Sequence, residues 1–347
     1  MAREPPKYER LPEEKTREML KLFKGERTGF VLVGPKKYFF PFRYVEQGAG
    51  FYNFEARPDD TWILSHPRSG TTVTSELIWL LANNLNFDLA RKRLLTERFP
   101  FLEFSMFNHP EVTREFLSMN KENIAKQELC LEIAKPGYEV IAKMPSPRFI
   151  KSHFPFSMLP GLLDVGCKVV YVARNPKDVA ISWYHLNCAI KTQGYIGDFA
   201  TFWNYFQNSL TPWSPYWAHL KEAWALRNNK NLLFMFYEEM THDFPKAIKK
   251  VAKFLNKTYT DEEVSKVVDY LDIKNFRNNP MVNYSELKAC GIIAEESFVR
   301  KGGTNWKNIF TAEINAKADK WIEENLIDTD LRFPFFNNKS NKINNNN

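Results

Sequence analysis

The chain has 347 residues, of which 44% are hydrophobic and 26% charged, the composition of an ordinary folded globular protein. Lysine plus arginine exceed aspartate plus glutamate, 48 against 41, and the net charge of +7 favours anionic ligands. The longest uninterrupted apolar runs, 77–82 and 232–237, are far shorter than the roughly 20 residues of a membrane-spanning helix. The composition therefore excludes a fibrous or disordered chain, and we expect no membrane span.

The N-terminal residues indicate the cellular compartment, and the cysteines indicate whether disulfides or a zinc site are expected. The segment MAREPPKYERLPEEKTREML mixes both charge signs and lacks the apolar stretch of a secretory signal, so we expect a cytoplasmic protein. Four cysteines lie far apart without a CxxC pair: Cys130, Cys167, Cys188 and Cys290. This spacing argues against a disulfide framework and against a zinc site, and it predicts reduced residues with a packing role.

Neither an internal repeat nor a flexible linker divides the chain, so we predict a single domain. We assign residues 1–55 to an N-terminal extension and residues 56–336 to the domain itself. The remaining tail, 337–347, is rich in asparagine and too polar to bury a core, so we expect it to be disordered.

Short apolar segments with β-branched residues alternate with helical patterns along the chain. The predicted strands are TWILS (61–65), KVVYVA (168–173) and NLLFMFYE (231–238). Helical periodicity occurs in SELIWLLANNL (75–85) and FPKAIKKVAKFL (244–255). This alternation predicts an α/β fold with a central parallel sheet flanked by helices. Because ligands of such sheets bind at the carboxyl ends of the strands, motifs at these ends are candidate site residues.

The first strand runs directly into the loop HPRSGTT (66–72), which ends at the start of the next helix. Gly70 permits a tight turn, and the unpaired N–H groups of a helix start can bind a phosphate or sulfate group. Side-chain donors come from Arg68, Ser69, Thr71 and Thr72. An ordinary capped helix start is the alternative, because Ser and Thr are also preferred there. A Walker A loop is excluded, since its first glycine and its lysine are missing.

Two more segments carry cations that suit a phosphate group. Arg174 follows the strand 168–173, and Ser182 lies on the second turn of the helix that Pro176 begins, so both can bind one phosphate. The segment FVRKGG (298–303) combines adjacent cations with two glycines. A surface arginine at a strand end and a solvated basic loop are the structural alternatives.

One histidine follows a predicted strand beside a cation. In SPRFIKSHFP (146–155), His153 comes two residues after Lys151. An imidazole has an ordinary pKa of about 6.5, which suits a general base for a hydroxyl group. A hydrogen-bonded structural histidine is the alternative.

These segments, in this order, resemble the cytosolic sulfotransferase family, which transfers a sulfonate from 3′-phosphoadenosine 5′-phosphosulfate (PAPS) to a hydroxyl or amine. HPRSGTT is similar to the 5′-phosphosulfate loop YPKSGTTW, SPRFIKSHFP to the acceptor-site segment, and YVARNPKDVAISWYH to the 3′-phosphate segment. LFMFYEEM, NPMVNY and FVRKG complete the match, which spans residues 60–334. The resemblance extends to insect members of the retinol dehydratase type, in which a sulfonated allylic alcohol eliminates to an alkene.

The resemblance implies roles for individual residues. His153 corresponds to the general base and Lys151 to the lysine that stabilises the transferring group, with Arg68 acting from the phosphate-binding loop. Lys151, Ser152 and His153 correspond to the acceptor side. The implied PAPS ligands are Arg68, Ser69, Gly70, Thr71, Thr72, Val73, Arg174, Ser182, Tyr237, Ile273, Phe298, Val299, Arg300, Lys301 and Gly302. Among these, the 3′-phosphate ligands are Arg174, Ser182 and Arg300.

The sequence departs from the family pattern at several positions. Arg68 replaces the loop lysine, and a guanidinium is not equivalent to an ammonium group. Val73 replaces a tryptophan and Ile273 a phenylalanine, so the aromatic pair around adenine is missing. The basic loop is one residue shorter than usual. The segment KNIFTAEINA (307–316) keeps only part of the motif KxxxTVxxxE, which weakens the case for the family's homodimer.

We therefore predict a PAPS-dependent sulfotransferase that acts on a small lipophilic alcohol or phenol, such as a steroid, a phenolic compound or a retinoid, in detoxification or in lipid and steroid metabolism. PAP is the second product, and neither a metal ion nor a nucleic acid is expected to bind. The acceptor pocket is expected from the aromatic segments 38–52 and 99–107, with 213–217 covering it. Two alternatives stay open: a catalytically silent ligand-binding member of the same fold and a P-loop small-molecule kinase, which should have a Walker lysine.

Overall fold

A small antiparallel sheet begins the fold in the computed structural model, which describes residues 2–294 and 309–334. The first elements are β1 (Tyr8–Arg10), α1 (Glu13–Leu20), β2 (Phe30–Val33), β3 (Tyr38–Pro41) and α2 (Tyr44–Tyr52). β2 pairs with β1 and β3, and all four residues of β3 are buried. The N–H of Phe39 donates to the carbonyl of Ser214 at 2.8 Å, and its carbonyl accepts from the N–H of Trp213 at 3.1 Å. The small sheet is therefore hydrogen-bonded to the loop that contains Trp213 and Ser214.

The central sheet has four parallel strands in the order β5, β4, β6, β7. These strands are β4 (Thr61–Leu64), β5 (Phe149–Ser152), β6 (Lys168–Ala173) and β7 (Leu232–Phe236). Every residue of β4 is buried, so the strand reads as a continuous apolar run rather than an alternating one. A parallel strand of this kind must be covered on both faces, and helices supply the cover.

The helices connect these strands and complete the chain. Those that follow β4 are α3 (Thr71–Ala82), α4 (Phe87–Ala90), α5 (Leu95–Arg98), α6 (Pro110–Met119), α7 (Ile124–Glu132) and α8 (Gly137–Ala142). Those that follow β6 are α9 (Pro176–Ala189), α10 (Phe199–Gln207) and α11 (Tyr216–Ala225). Those that follow β7 are α12 (Tyr237–His242), α13 (Phe244–Phe254), α14 (Asp261–Leu271), α15 (Ile273–Asn278), α16 (Ser285–Ala289) and α17 (Ala312–Leu326). Short 3-10 turns occur at Phe104–Phe107 and Phe156–Met158.

The predicted fold class is confirmed: the structure is α/β, with a central parallel sheet flanked by helices. The three predicted strands match β4, β6 and β7 to within two residues, and α3 begins at Thr71, directly after the predicted loop. Pro176 occupies the first turn of α9, where its missing N–H costs nothing. The predicted tail at 337–347 lies outside the described residues.

All four cysteines are free, as predicted. The packing role predicted for Cys188 is wrong, because its side chain is exposed near the end of α9, whereas the other three cysteines are buried. Among the described helices, none is long and apolar enough to cross a membrane.

A buried ion pair joins the amino-terminal ends of β4 and β5. Arg148 donates from Nε to Oδ1 of Asp60 at 2.8 Å and from Nη2 to Oδ2 at 2.6 Å, and both side chains are at most 1% exposed. We expect Asp60→Ala to lower the free energy of unfolding by about 3–5 kcal/mol, because the guanidinium stays buried without its carboxylate. Urea denaturation followed by circular dichroism measures this change.

An exposed ion pair serves as the control for this variant. Arg93 and Glu97 lie at 3.3 Å on the surface with both side chains about half exposed, so Glu97→Ala should have a much smaller effect. Equal losses in the two variants would contradict a structural role for the buried pair.

Candidate active site

The carboxyl ends of the central strands surround a cavity of about 400 Å³, which we call the central cavity. Parallel strands bring their carboxyl ends to one edge of the sheet, so segments far apart in sequence meet there. The structure brings together eleven of the predicted site residues in its lining: Arg68, Gly70, Thr71, Thr72, Val73, Lys151, His153, Arg174, Ser182, Tyr237 and Ile273. The predicted residues Phe298, Val299, Arg300, Lys301 and Gly302 lie outside the described residues.

The loop between β4 and α3 has an unusual backbone. Arg68 and Gly70 both have positive φ, at 70° and 97°. A Cβ atom at Gly70 would lie 2.4 Å from Cδ2 of Tyr237, so this position has room only for glycine. A non-glycine residue in the left-handed region, such as Arg68, is strained and is found preferentially at functional sites. Thr71 and Thr72, the first residues of α3, line the central cavity, so the amino-terminal end of this helix lies at the cavity.

Two predicted residues are not in the lining of the central cavity. The hydroxyl of Ser69 is buried and has no hydrogen-bond partner among residues 2–294 and 309–334. Ser152 accepts the N–H of Phe154 at 3.0 Å and packs beside Glu103, away from the cavity. Ser152 is therefore not brought into the cavity lining with Lys151 and His153. Side chains alternate along a strand, so Lys151 and His153 share one face and Ser152 points to the other.

The guanidinium groups of the two arginines are held by neighbouring elements. Nε of Arg68 donates to the hydroxyl of Ser182 at 2.8 Å, and Nη1 of Arg174 donates to the carbonyl of Arg68 at 3.0 Å. The Arg174 guanidinium also lies 4.5 Å from the ring centre of Tyr237. These contacts join the loop after β4 to the start of α9 and to α12. The site therefore carries fixed positive charge at the end where the sequence predicts phosphate groups.

His153 has a defined tautomer. Its Nδ1 lies 2.7 Å from the carbonyl oxygen of Ser65, and since a carbonyl only accepts, Nδ1 carries the proton. Nε2 is then the unprotonated nitrogen of a ring that lines the central cavity. Burial, together with the positive charge of Lys151, holds the pKa of His153 well below its usual value. The imidazole is thus neutral at physiological pH and available as a proton acceptor.

The main chain of His153 is held on both sides by buried side chains. Its N–H donates to Oε1 of Glu103 at 2.5 Å. Its carbonyl accepts from Nε2 of His219 at 2.8 Å, while Nδ1 of His219 accepts from the hydroxyl of Tyr171 at 2.8 Å. Sequence reasoning missed Glu103 and His219, because no local pattern marks residues that meet His153 only across the fold.

Glu103 is a fully buried carboxyl group in contact with His153. Oε1 also accepts the indole N–H of Trp213 at 3.1 Å. Burial raises the pKa of Glu103 to about 7, although hydrogen bonds from His153, Ser152 and Trp213 and the charge of Lys151 oppose the shift. The carboxyl group is therefore coupled to both the histidine and an aromatic wall of the cavity.

An aromatic and aliphatic wall forms another part of the cavity lining. Phe101, Phe104 and Phe107 belong to it, as predicted for the segment 99–107, and so does Trp213. Sequence reasoning missed a second group on α7, α8, α9 and the region around α16: Leu129, Ile133, Val140, Leu186, Ile190, Leu287 and Ile293. The spacing of four residues between Leu129 and Ile133, and between Leu186 and Ile190, was the available signal, but it is typical of any buried helix face.

The predicted pocket role of residues 38–52 is not what the structure shows. The described lining of the central cavity includes none of them, because β3 and α2 bury their aromatic rings in the core. β3 contributes indirectly, through its hydrogen bonds to the Trp213 loop. Of the segment 213–217, only Trp213 lines the cavity, whereas Trp217 packs against Trp321 of α17 at 5.4 Å between ring centres.

No group of three or more His, Cys, Asp or Glu side chains within the described residues is arranged to hold a metal ion. Beside the acidic residues Glu132, Asp178 and Glu286, the cavity lining carries guanidinium, ammonium, hydroxyl and imidazole groups. This arrangement can bind anionic phosphate and sulfate groups and can accept one proton from a ligand beside the apolar wall.

Comparisons with known proteins agree with this chemistry. The family model described as "Sulfotransferase domain" matches residues 58–330. Sulfotransferase 1E1 of Bos taurus is 32% identical over 294 residues, covering 84% of this chain and 91% of that protein. Luciferin sulfotransferase of Photinus pyralis is 30% identical over 307 residues, covering 86% of this chain and 80% of the relative.

Solved structures of retinol dehydratase are also similar. The complex with androsterone and the inactive cofactor PAP has a TM-score of 0.88 and 36% sequence identity, covering 95% of this chain and 99% of that one. The complex with retinol and PAP has a TM-score of 0.89 and 35% identity with the same coverage. None of these comparisons supports the kinase alternative. The chain belongs to the sulfotransferase family, as its motifs predicted, and it is a PAPS-dependent sulfotransferase.

Proposed function

We propose that this enzyme transfers the sulfonate of PAPS to the hydroxyl group of a small lipophilic alcohol or phenol of steroid, phenolic or retinoid type, and releases PAP. One observation carries the proposal: a neutral histidine, His153, lies in the same cavity as the cationic phosphate-binding loop and an apolar aromatic wall. A proton acceptor between an anion site and an apolar pocket is the arrangement that sulfonation of a lipophilic hydroxyl requires.

The residues around the loop fit PAPS. The buried hydroxyl of Ser69 has no hydrogen-bond partner in the described residues, and Gly70 leaves space where a Cβ would clash with Tyr237. PAPS, when bound, supplies a sulfonate on a phosphate leaving group. In the proposal Arg68 and Lys151 balance the charge of the transferring group. Arg174 and Ser182 bind the 3′-phosphate, together with the predicted Arg300.

The acceptor site is proposed on the apolar side of His153. Phe101 and Trp213 lie at 5.1 and 5.2 Å from the His153 ring centre, both with their rings nearly perpendicular to it. An acceptor hydroxyl between these rings would meet Nε2 of His153, which takes its proton. The complexes of retinol dehydratase with androsterone and with retinol support a lipophilic alcohol as the acceptor.

The alternative of a catalytically silent ligand-binding member rests only on the departures of Arg68, Val73 and Ile273 from the family pattern. A cytoplasmic location stays a prediction. A homodimer is also still only a prediction, and the motif at 307–316 that would support it is incomplete.

Turnover with labelled PAPS tests the proposal. The protein is incubated with ³⁵S-labelled PAPS and a panel of phenols, steroids and retinoids, alongside His153→Ala. We expect labelled product, or PAP release where the product eliminates sulfate, from at least one lipophilic class. His153→Ala should lose about 10²–10⁴-fold in kcat, because a general base typically contributes that much.

Binding of PAP by His153→Ala is the control, measured by calorimetry. It should stay close to that of the wild type, because the phosphate ligands remain. No turnover of any acceptor by a wild-type protein that binds PAP would favour the silent binding protein. A variant that retains more than a tenth of the wild-type kcat would remove His153 from the role of base.

The proposed 3′-phosphate site predicts nucleotide discrimination. Arg174→Ala should weaken binding of PAP by about ten- to a hundredfold, because charge-assisted hydrogen bonds are worth about 1.5–3 kcal/mol. Binding of adenosine 5′-phosphate, which lacks the 3′-phosphate, should change little. Calorimetry with both nucleotides measures the difference.

Arg227 supplies a matched control, since its guanidinium also packs on an aromatic ring, that of Trp224, but outside the central cavity. Arg227→Ala should leave binding of both nucleotides unchanged. If Arg174→Ala weakens both nucleotides equally, the assignment of Arg174 to the 3′-phosphate is wrong.

Val73 and Ile273 line the central cavity at positions where the family has aromatic residues, so adenine is proposed to lie between aliphatic side chains. Val73→Trp with Ile273→Phe should tighten PAP binding by up to about tenfold, because aromatic stacking adds about 0.5–1.5 kcal/mol beyond burial. Ile273 is 36% exposed, which leaves room for the larger ring.

The two single variants complete a double-mutant cycle, measured by calorimetry at fixed ionic strength. Melting temperatures show whether each variant stays folded. A stably folded double variant without any gain in affinity would mean that adenine binds elsewhere.

A further inference from the structure

Glu103 is fixed at the carboxyl end of β5 by a short strand-like segment. The N–H of Lys151 donates to the carbonyl of Pro100 at 2.9 Å, and the N–H of Leu102 donates to the carbonyl of Lys151 at 2.9 Å. These two bonds pair residues 100–102 with β5 in parallel, and the next residue is Glu103. Its carboxylate is thereby placed beside the residue that follows β5, His153.

One carboxylate oxygen of Glu103 holds two groups of the active site. Oε1 accepts the main-chain N–H of His153 at 2.5 Å and the indole N–H of Trp213 at 3.1 Å. The rings of His153 and Trp213 are in contact, with centres 5.2 Å apart and planes at 72°. The same oxygen therefore fixes the proposed base and the aromatic wall against which an acceptor would lie.

The Trp213 backbone needs such support. Trp213 has a φ of 65°, which lies in the left-handed region that a bulky side chain rarely adopts. Two interactions hold it there, the N–H bond to the carbonyl of Phe39 at 3.1 Å and the indole bond to Glu103. A strained backbone persists only where its surroundings fix it, and such positions cluster at active sites.

Burial of a carboxyl group costs free energy, so Glu103 must supply an interaction that an apolar residue cannot supply. Glu103 is fully buried, and Phe101 and Phe107, which pack against Trp213, are apolar. Without an acceptor here, the N–H groups of His153 and Trp213 would lose their hydrogen bonds inside the protein. An acceptor that reaches both donors at once is what Glu103 provides.

We propose that Glu103 is a positioning residue for sulfonate transfer: it fixes the main chain of His153 and the indole of Trp213, and so sets the place of the base relative to the acceptor hydroxyl. This inference rests on the proposed function, in which His153 is the base. A displacement of about 1 Å in a reacting group can lower a rate by about a hundredfold, so loss of this bond should act on kcat.

Two substitutions of Glu103 distinguish the effect of its hydrogen bonds from the effect of its packing. Glu103→Leu removes the acceptor, and Glu103→Gln keeps an acceptor oxygen in a side chain of the same length. We expect Glu103→Leu to lower kcat at least tenfold while the Kd for PAP stays within about twofold, because the phosphate ligands are not attached to Glu103. Glu103→Gln should recover kcat to within about threefold of the wild type, since its oxygen can still accept both N–H groups.

Glu26 is the matched control. It is another buried carboxylate that accepts main-chain N–H groups, those of Thr28 at 2.7 Å and Gly29 at 3.1 Å, but it does not line the central cavity. Glu26→Leu should lower the melting temperature and leave kcat unchanged. A spectroscopic readout comes from ¹⁵N-labelled histidine: the His153 ring signals should shift in Glu103→Leu and return in Glu103→Gln.

The outcomes are distinct. A folded Glu103→Leu with kcat within twofold of the wild type overturns the inference, and so does a kcat loss matched by Glu26→Leu at an equal drop in melting temperature. Failure of Glu103→Gln to recover any activity also overturns it, because the charge rather than the acceptor would then matter.

If Glu103→Leu does not fold, Trp213→Phe takes its place. A threefold or larger loss of kcat without loss of PAP binding supports the inference, and an unchanged kcat overturns it.

His153→Ala, run in the same assay, separates this inference from the proposed function. If His153→Ala loses turnover and Glu103→Leu does not, the positioning role fails and the proposed function stands. If His153→Ala itself retains turnover, the role of His153 as base fails, and the positioning role of Glu103 fails with it.

Discussion

The site depends on the parallel register of three strands. Leu64 of β4 pairs with Ser152 of β5 and with Tyr171 of β6. The residue after Leu64 is thereby level with His153, and the carbonyl of Ser65 receives its Nδ1–H. A shift of β5 by one residue would turn His153 to the opposite face of the sheet, because side chains alternate along a strand. The tautomer of His153 is thus a consequence of strand pairing.

Burial then determines how the histidine behaves. A solvated imidazole has a pKa near neutrality, but burial and the neighbouring Lys151 lower the pKa of His153 and keep the ring neutral. The same burial raises the pKa of Glu103. Each group is stabilised by hydrogen bonds to its neighbours, which include the chain from Tyr171 through His219 to the carbonyl of His153. The interior of the protein therefore holds His153 in one tautomer and one orientation.

The anion side of the cavity is organised differently, by two arginine side chains that bind neighbouring segments. Arg174 donates to the carbonyl of Arg68, and Arg68 reaches Ser182, so the loop after β4 and the start of α9 form one unit. With Val73 and Ile273 in place of aromatic residues, the proposed nucleotide site relies more on these charges than on stacking. Such binding depends on ionic strength more than stacking does, because salt screens charge interactions.

The sequence by itself determined three strands of the central sheet, the loop with its glycine, and the family. These features are local: a buried parallel strand is a continuous apolar run, and the turn that precedes α3 requires glycine at position 70. Motif order along the chain also identified His153, Lys151 and Arg174 as candidates. Only the tertiary structure decided that Ser152 faces away from the cavity and that residues 38–52 support Trp213 rather than line the pocket. Likewise, Glu103 and His219 have no local signal, because their function lies in contacts with His153 that form only when distant segments pack around the sheet.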